Sequence, residues 1–226
     1  ITNAVPLAIT SLFAIVLVPL FNVLPRQDTY ALFGNEAVFF ILGAFILAGA
    51  VMTSGLSNRI ALNIMDRYGR SPRKLLISIF LLAALLSFFM SEHAVAAMLF
   101  PIVLEIAKGL NLRPGKSNYG KLLFFALAWG CVIGGVGTFL GGARVPLAIG
   151  ILNETTGRTI NFLDYTIAVF PLVVILLFAG YFLLTRFFPI DITDVESAHT
   201  VLAKRLKNLG NVTYSEYAVG AVLAIT

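Results

Sequence analysis

The sequence has little charge and almost no cysteine or histidine for its length. Charged residues make up 12% of the 226 residues, against about 25% in soluble globular domains. Hydrophobic residues make up 59%, which is more apolar surface than a soluble domain of this length can bury. This composition excludes a soluble globular protein and a disordered chain. The single Cys131 leaves no possible disulfide within the chain, so a disulfide scaffold is excluded as well.

Other missing patterns exclude further classes of function. No ten-residue segments alternate between apolar and polar residues, as the strands of a membrane barrel do. No basic run is interleaved with base-stacking aromatics, so the net charge of +5 does not indicate a nucleic-acid partner. The chain has two His and one Cys and no H-E-x-x-H or G-x-S-x-G motif, so neither an enzyme nor an enzyme cofactor is expected. What remains is an all-α polytopic membrane protein.

Long apolar runs predict the membrane-spanning helices. Residues 5–24 and 37–55 predict two such helices in a scaffold-type region, 1–56, and 162–188 predicts a third. In two other segments, 57–74 and 193–209, apolar residues recur at spacings of three and four with basic residues opposite. This pattern predicts amphipathic helices on the membrane surface, in contact with lipid.

The two ends of the chain predict a fragment. There is no start Met before Ile1 and no signal peptide. The last apolar run, 217–225, is too short to cross about 30 Å of hydrocarbon. We therefore expect 215–226 to be the start of a second, truncated repeat.

The basic residues predict which loops are cytoplasmic. Thirteen of the 16 Lys and Arg lie in three segments, 57–74, 108–121 and 186–210, and cytoplasmic loops are enriched in such residues. The apolar stretch 75–107 has basic segments on both flanks, so a single crossing would place one of them outside. The economical interpretation is a re-entrant helical hairpin with a polar tip, Ser91-Glu92-His93. Non-helical backbone at that depth must be buried in protein or line an aqueous pathway.

A second polar interruption is predicted inside the apolar stretch 122–152. Five glycines lie within nine residues and are followed by Arg144 and Pro146, and each glycine destabilises a helix by about 1 kcal/mol relative to Ala. The spacing favours an unwound break in a transmembrane helix; close helix packing through small residues is the alternative. The glycines are Gly134, Gly135, Gly137, Gly141 and Gly142.

A hairpin tip and a helix break at membrane depth suit an anion site. The hairpin's second arm and the half-helix that begins near Pro146 would bring two positively polarised N-termini together. Arg144 adds a full charge, and an arginine at membrane depth is a functional candidate by default. Carbonyls freed by unwinding could hold a small cation. Ser87 and Ser91 are four residues apart, so both face the same side of the first arm.

These residues resemble those of a known family, the divalent anion/sodium symporters of the ion-transporter superfamily. Ile1-Thr2-Asn3-Ala4-Val5-Pro6 resembles the family's TEA(L/V)P segment, and the chain from Ser91 to Pro101 resembles SNTATAAMMLP. The chain from Ile133 to Gly142 resembles IGGxGTLxGT. The resemblance covers nearly the whole chain and corresponds to the N-terminal half of the family.

The resemblance implies a fold and a mechanism. The fold is a first inverted repeat with a re-entrant hairpin and a broken transmembrane helix, and 75–188 forms a transport-type region that moves by an elevator motion against a scaffold in a homodimer. The implied activity is symport of a small di- or tricarboxylate or sulfate-like anion with Na+. The implied substrate-binding residues are Ser91, Glu92, His93, Thr138, Gly142 and Arg144. The implied cation-binding residues are Ser87, Ser91, Glu92, Gly134, Gly135 and Gly137.

The sequence departs from the family pattern where chemistry matters. Glu92 and His93 replace the Asn and Thr of the tip, and Ala143-Arg144-Val145 replaces Pro-Pro-Asn. A carboxylate should repel a dicarboxylate unless it is protonated or paired, with His93 or Arg144 as the possible partner. One hypothesis is that Glu92 and His93 titrate and give H+ coupling; another is that Glu92 only caps its helix.

Three other functional interpretations remain open. A metalloid or Na+/H+ carrier of the same superfamily is one, and a channel is another. A remote third is an intramembrane enzyme that uses Glu92 and His93 as acid, base or metal ligands.

Overall fold

The structure is a computed structural model that describes residues 7–34 and 36–225. Every regular element in these ranges is helical, and no strand occurs among them. The helices are α1 (Leu7–Leu20), α2 (Arg26–Phe33), α3 (Glu36–Ser54), α4 (Leu56–Tyr68), α5 (Pro72–Ser87), α6 (Glu92–Gly109), α7 (Asn118–Gly135), α8 (Arg144–Thr156), α9 (Phe162–Phe187), α10 (Glu196–Leu209) and α11 (Tyr214–Ile225). A short 3₁₀ turn, Phe139–Gly141, lies between α7 and α8.

One helix, α9, is long and apolar enough to cross a membrane by its length and composition. The bent pair of α3 and α4 adds a second if the pair is one span; its axis turns by 61° at Gly55, whose φ of 84° is accessible to glycine. The abrupt turn agrees with α4 as a separate amphipathic helix. Within the predicted span 5–24, only Leu7–Leu20 is helical among the described residues, and its apolar stretch is shorter than a span; residues 5 and 6 lie outside the described residues.

The buried core lies around α5 and α7. Helix α5 packs along α7, with α6, α4 and α9 around this pair. Their apolar faces bury side chains such as Leu76, Ile79 and Leu123 completely. Three hydrogen bonds fix the base of the pair: Tyr119 Oη donates to the carbonyl of Pro72 at 2.8 Å, and the amides of Asn118 and Tyr119 donate to the carboxylate of Asp191.

The amphipathic helix α10 is bound to the rest of the chain through charged contacts. Arg205 Nε donates to Glu105 Oε2 at 2.6 Å, which joins α10 to α6. His199 is half-buried, with Nδ1 3.4 Å from Asp66 Oδ1 on α4. These contacts, and the burial of Leu202 between them on the same face of the helix, hold α10 against α4 and α6.

Arg59 ties three elements together where α10 ends. Its Nε donates to Glu216 Oε1 of α11 at 2.8 Å, and its terminal nitrogens donate to the carbonyls of Gly210 and Asn211. Glu216 also accepts from the amide of Thr213 at 2.7 Å. The guanidinium therefore satisfies carbonyls left open at the end of α10 and anchors the start of α11.

Two differences from the sequence expectations concern where elements begin. The sequence analysis predicts no helix between residues 24 and 37, but helix α2 begins there at Arg26, directly after Pro25. Helix α10 begins at Glu196 rather than at 193, because residues 193–195 are not helical and the carboxylate of Asp194 accepts a hydrogen bond from the amide of Glu196. Neither change moves the residues of the candidate site.

Candidate functional site

The hairpin tip is the four-residue connection from Phe88 to Ser91 between α5 and α6. Ser91 is the N-cap of α6, and its Oγ accepts a hydrogen bond from the amide of Ala94 at 3.3 Å. Glu92 and His93 therefore belong to the first helical turn of α6, whereas the sequence expectation placed them in a non-helical tip before an arm that began at Ala94. The reason is local: serine caps a helix well, and an acid in the first turn stabilises it.

The break in the other polar segment runs from Val136 to Ala143, between α7 and α8. Thr138 binds the tip, because its Oγ1 donates to the carbonyl of Phe88 at 2.6 Å. The same Oγ1 accepts from the amide of Leu140 at 3.2 Å and starts the 3₁₀ turn. On the other side, Tyr165 of α9 donates from its hydroxyl to the carbonyl of Val136 at 2.9 Å. Tip, break and α9 are thus joined by hydrogen bonds.

Four of the five glycines allow backbone to approach backbone or ring. A methyl group added at Gly134 would come 2.2 Å from the carbonyl oxygen of Ala84, and one at Gly141 would come 2.6 Å from that of Ser87. At Gly137 it would meet the ring of Phe88 at 2.1 Å. The two interpretations of the glycines, a break and close packing, therefore both apply. Gly142 differs, because an added methyl group would have only Arg144 within reach, at 4.0 Å.

The charged residues of the two segments meet at the N-termini of α6 and α8. Arg144 Nη2 donates to Glu92 Oε1 at 2.6 Å. Of the two partners considered for Glu92, Arg144 is the one in hydrogen-bond contact. His93 is the more distant, with Nδ1 3.8 Å from the same oxygen and its side chain 89% exposed. The first turns of α6 and α8 therefore meet through Glu92 and Arg144, and the guanidinium lies against a buried carboxylate.

Two buried oxygens beside this ion pair have no hydrogen-bond partner among the described residues. They are Ser87 Oγ, which is fully buried, and Glu92 Oε2. The weakly polar thiol of Cys131 is the neighbour of Ser87 and lies close to Glu92. A methyl group added at Gly135 would come 2.8 Å from Glu92 Oε2 and 3.2 Å from the carbonyl oxygen of Gly141. Glu92 Oε2 therefore lies close to the backbone of Gly135, and an ion or an ordered water is a common partner for buried oxygens that lack a hydrogen bond within the protein.

Most predicted site residues are brought together, and three participants were missed. Ser87, Ser91, Glu92, Thr138, Arg144 and the glycines other than Gly142 lie at the contact of tip and break. His93 and Gly142 lie at its open edge. Cys131 could have been found from its position one helical turn before Gly135 on α7, but neither the Phe88 carbonyl nor Tyr165 has a sequence signal.

The whole chain, residues 1–226, matches the family model described as the sodium:sulfate symporter transmembrane region. The chain belongs to this family, the divalent anion/sodium symporters. It is 32% identical to a sodium-dependent dicarboxylate transporter, SdcS, of Staphylococcus saprophyticus, over 97% of this chain and 44% of that protein. It is 31% identical to the SdcS of Staphylococcus aureus strain NCTC 8325, over 100% of this chain and 45% of that protein.

Membership of the symporter family confirms the resemblance read from the two motifs. The relatives are sodium-dependent transporters of anions and integral membrane proteins, which agrees with the helical fold and with secondary transport rather than enzymatic function. The chain spans less than half the length of these symporters. Its tip and break therefore correspond to one part of a longer protein.

Proposed function

We propose that this chain supplies half of the binding site of a secondary active transporter that couples uptake of a small anion to Na+. The observation that carries the proposal is the contact of Arg144 with Glu92 at two converging helix N-termini, beside buried oxygens that lack partners. Positive helix ends and a guanidinium suit an anion. Unpartnered hydroxyl, carboxylate and carbonyl oxygens suit a cation.

The anion would bind at the open edge of the site. Arg144 is 69% exposed along its side chain and lies at the first turn of α8, next to Gly142 and across from His93. Ser91 is half-buried at the tip. Thr138 would act mainly by joining break to tip, because its hydroxyl is already bound to Phe88. A di- or tricarboxylate or a sulfate fits this set of donors, and the relatives' names favour the dicarboxylate.

The cation would bind beside Gly135, between the hairpin tip and the helix break. Ser87 Oγ and Glu92 Oε2 are its side-chain ligands in this proposal. Backbone carbonyls near Gly134, Gly135, Gly137 and Gly141 complete the set. Sodium is favoured because the relatives are sodium-dependent. The hypothesis of H+ coupling through Glu92 and His93 makes a different prediction, a pH profile of uptake that changes when both residues are made non-titratable.

In the membrane, α5 and α6 would form a re-entrant hairpin, and α7 with α8 a transmembrane helix broken near its middle. Together with α9 they would form the transport domain, which moves across the membrane in an elevator-type mechanism. The interfacial helices α4 and α10 would connect this domain to the scaffold. The segments 57–74, 108–121 and 186–210 would be cytoplasmic, and α1 and α3 would belong to the scaffold and dimer interface.

The test is uptake by the full-length natural chain that contains these residues, reconstituted in proteoliposomes. An inward Na+ gradient should drive labelled succinate or sulfate uphill, and uptake should saturate with substrate. Uptake that is never uphill would indicate a channel. Inhibition by arsenite, with no inhibition by succinate, citrate or sulfate, would favour a metalloid carrier. If Na+ is the coupling ion, the double variant Glu92→Gln/His93→Asn should take up less substrate at a given Na+ concentration, and the shape of its pH profile should stay that of the wild type.

A further inference from the structure

We propose that Glu92 and Arg144 exchange partners when the site fills. A Na+ ion takes the place of Arg144 on the Glu92 carboxylate, and the anionic substrate takes the place of Glu92 on the Arg144 guanidinium. The inference rests on the proposed function and adds a physical reason why binding of Na+ and binding of the anionic substrate depend on each other.

The first argument is the unequal burial of the two charges. Glu92 is 8% exposed, whereas the side chain of Arg144 is 69% exposed. An anion that drew Arg144 away with no cation present would leave a buried carboxylate unpaired, which is strongly unfavourable. A cation that displaced Arg144 with no anion present would leave only a solvated guanidinium. The cation is therefore expected to bind first.

The second argument is that each charge already has unused binding capacity. Glu92 Oε1 accepts from Arg144, while Oε2 is buried close to Gly135 and has no hydrogen-bond partner among the described residues. In the described part of the chain, Arg144 makes one hydrogen bond, from Nη2. A guanidinium has five donors and binds carboxylates or sulfate in a bidentate manner. Neither partner needs to move far to accept its new ligand.

The third argument is that no other charged group stands in for either partner. Among the described residues, the polar groups facing the Glu92 carboxylate are Arg144, the exposed His93 at 3.8 Å and the neutral thiol of Cys131. His93 is neutral unless protonated and is beyond hydrogen-bond distance. Loss of Arg144 therefore leaves the carboxylate to the cation, and loss of Glu92 leaves the guanidinium to the anion.

The exchange predicts opposite effects for two changes that each replace a charged side chain by a neutral amide. Arg144→Gln should strengthen Na+ binding, because no internal cation competes for Glu92, and should weaken succinate binding. Glu92→Gln should weaken Na+ binding and should let succinate bind nearly as well without Na+ as with it. A purely structural ion pair would instead weaken both ligands in both variants, or leave their interdependence unchanged.

The experiment measures binding to the detergent-solubilised full-length protein, with choline replacing Na+. Labelled succinate gives the factor by which Na+ tightens substrate binding, and the thermal shift with Na+ alone gives Na+ affinity. In the wild type, the factor should fall in the range of about 5–150, typical of coupled sites. In Glu92→Gln and in Glu92→Gln/Arg144→Gln it should fall below about twofold.

A matched control is Glu105→Gln, which breaks a Glu–Arg pair on the same helix, α6, away from the site. It should keep the wild-type coupling factor. Coupling factors in the Glu92 and Arg144 variants that stay at the wild-type value, with succinate still bound, overturn the exchange alone. Failure of the wild type to bind succinate and sulfate at any Na+ concentration overturns the proposed function and the exchange with it.

Discussion

Thr138 Oγ1 donates a hydrogen bond of 2.6 Å to the carbonyl oxygen of Phe88, fifty residues earlier in the chain. This contact links the helix break to the hairpin tip. Neither Thr138 nor Phe88 lies in a helix. Because Thr138 is 5% exposed, water is a poor substitute for either partner.

Replacement of Thr138 by Val should therefore destabilise the contact of tip and break. It leaves the Phe88 carbonyl without its donor and the Leu140 amide without its acceptor, and an unsatisfied buried group costs about 1–3 kcal/mol. Thermal unfolding of the full-length protein in detergent measures the loss. Thr138→Ser keeps the hydroxyl and should retain most of the stability; equal losses in both variants would contradict the assigned role.

Gly134→Ala should separate α5 from α7. The added methyl group would lie 2.2 Å from the oxygen and 2.6 Å from the Cα of Ala84, so a backbone shift is required, and overpacking of this kind costs about 1–3 kcal/mol. Gly142→Ala is the matched control, because it meets nothing closer than 4.0 Å. Thermal stability should fall in the first variant only. A stable, active Gly134→Ala protein would show that the close approach is not needed.

Ser87→Ala tests the cation site without disturbing a hydrogen bond to nitrogen or oxygen. Ser87 Oγ lacks such a partner, so its removal should leave the Na+-free protein as stable as the wild type or more so. The stabilisation by added Na+, about 2.7 kcal/mol at 100 times the dissociation constant, should shrink. Ser78→Ala removes a hydroxyl on the same helix that donates a hydrogen bond to the backbone carbonyl of Lys74. This variant should keep the full Na+ response. An unchanged response in Ser87→Ala would remove Ser87 from the cation site.

The pair of Arg59 and Glu216 predicts a pH dependence of stability. The hydrogen bond from Arg59 lowers the pKa of the Glu216 carboxyl below its usual range. A lowered pKa in the folded state gives stability that is present above the pKa of free glutamate, about 4.3, and is lost as pH falls through the lowered value. Glu216→Gln should therefore be less stable than the wild type at neutral pH, and the difference should shrink as the solution becomes acidic.

The control for this pH effect is Glu196→Gln on α10. Glu196 also lies in the first turn of a helix, but it is exposed and makes no ion pair in the described part of the chain. Thermal unfolding of both variants and the wild type is measured from pH 7 down through the pKa of free glutamate. Only Glu216→Gln should differ from the wild type by an amount that depends on pH. A difference between Glu216→Gln and wild type that stays constant across this range would contradict the role of the ionised pair.

Most helices could be predicted from the sequence, because they arise from local patterns. The residue at which a helix begins or ends depends on single capping residues, which are harder to weigh. The apolar run that forms α9 and the amphipathic spacing of α4 and α10 are local patterns, so the sequence carries them directly. The break followed from the glycines because their low helix propensity is intrinsic. Helix α2 was missed, since its polar composition is shared by loops. Glu92 and His93 were placed outside the helix because the capping strength of Ser91 was given too little weight.

The partners of the site residues were less predictable than their identity. Arg144 and Glu92 were recognisable as rare charges in apolar sequence, and their pairing was one of two alternatives. Whether His93 or Arg144 made the contact depends on how α6 and α8 meet, which is set by packing across fifty residues. The carbonyl of Phe88 and the hydroxyl of Tyr165 have no sequence signature, because any residue carries a carbonyl and tyrosines are common at membrane interfaces.

By itself the sequence determined that this is a helical membrane protein, where its polar interruptions fall and which family it resembles. These properties depend on composition, local propensity and short motifs. Only the tertiary structure decided that Arg144 is bound to Glu92, that Ser87 and one carboxylate oxygen are buried without partners, and that glycines bring tip and break into contact. These depend on distances between segments far apart in the chain, which are fixed by close packing of helices and by the directionality of hydrogen bonds.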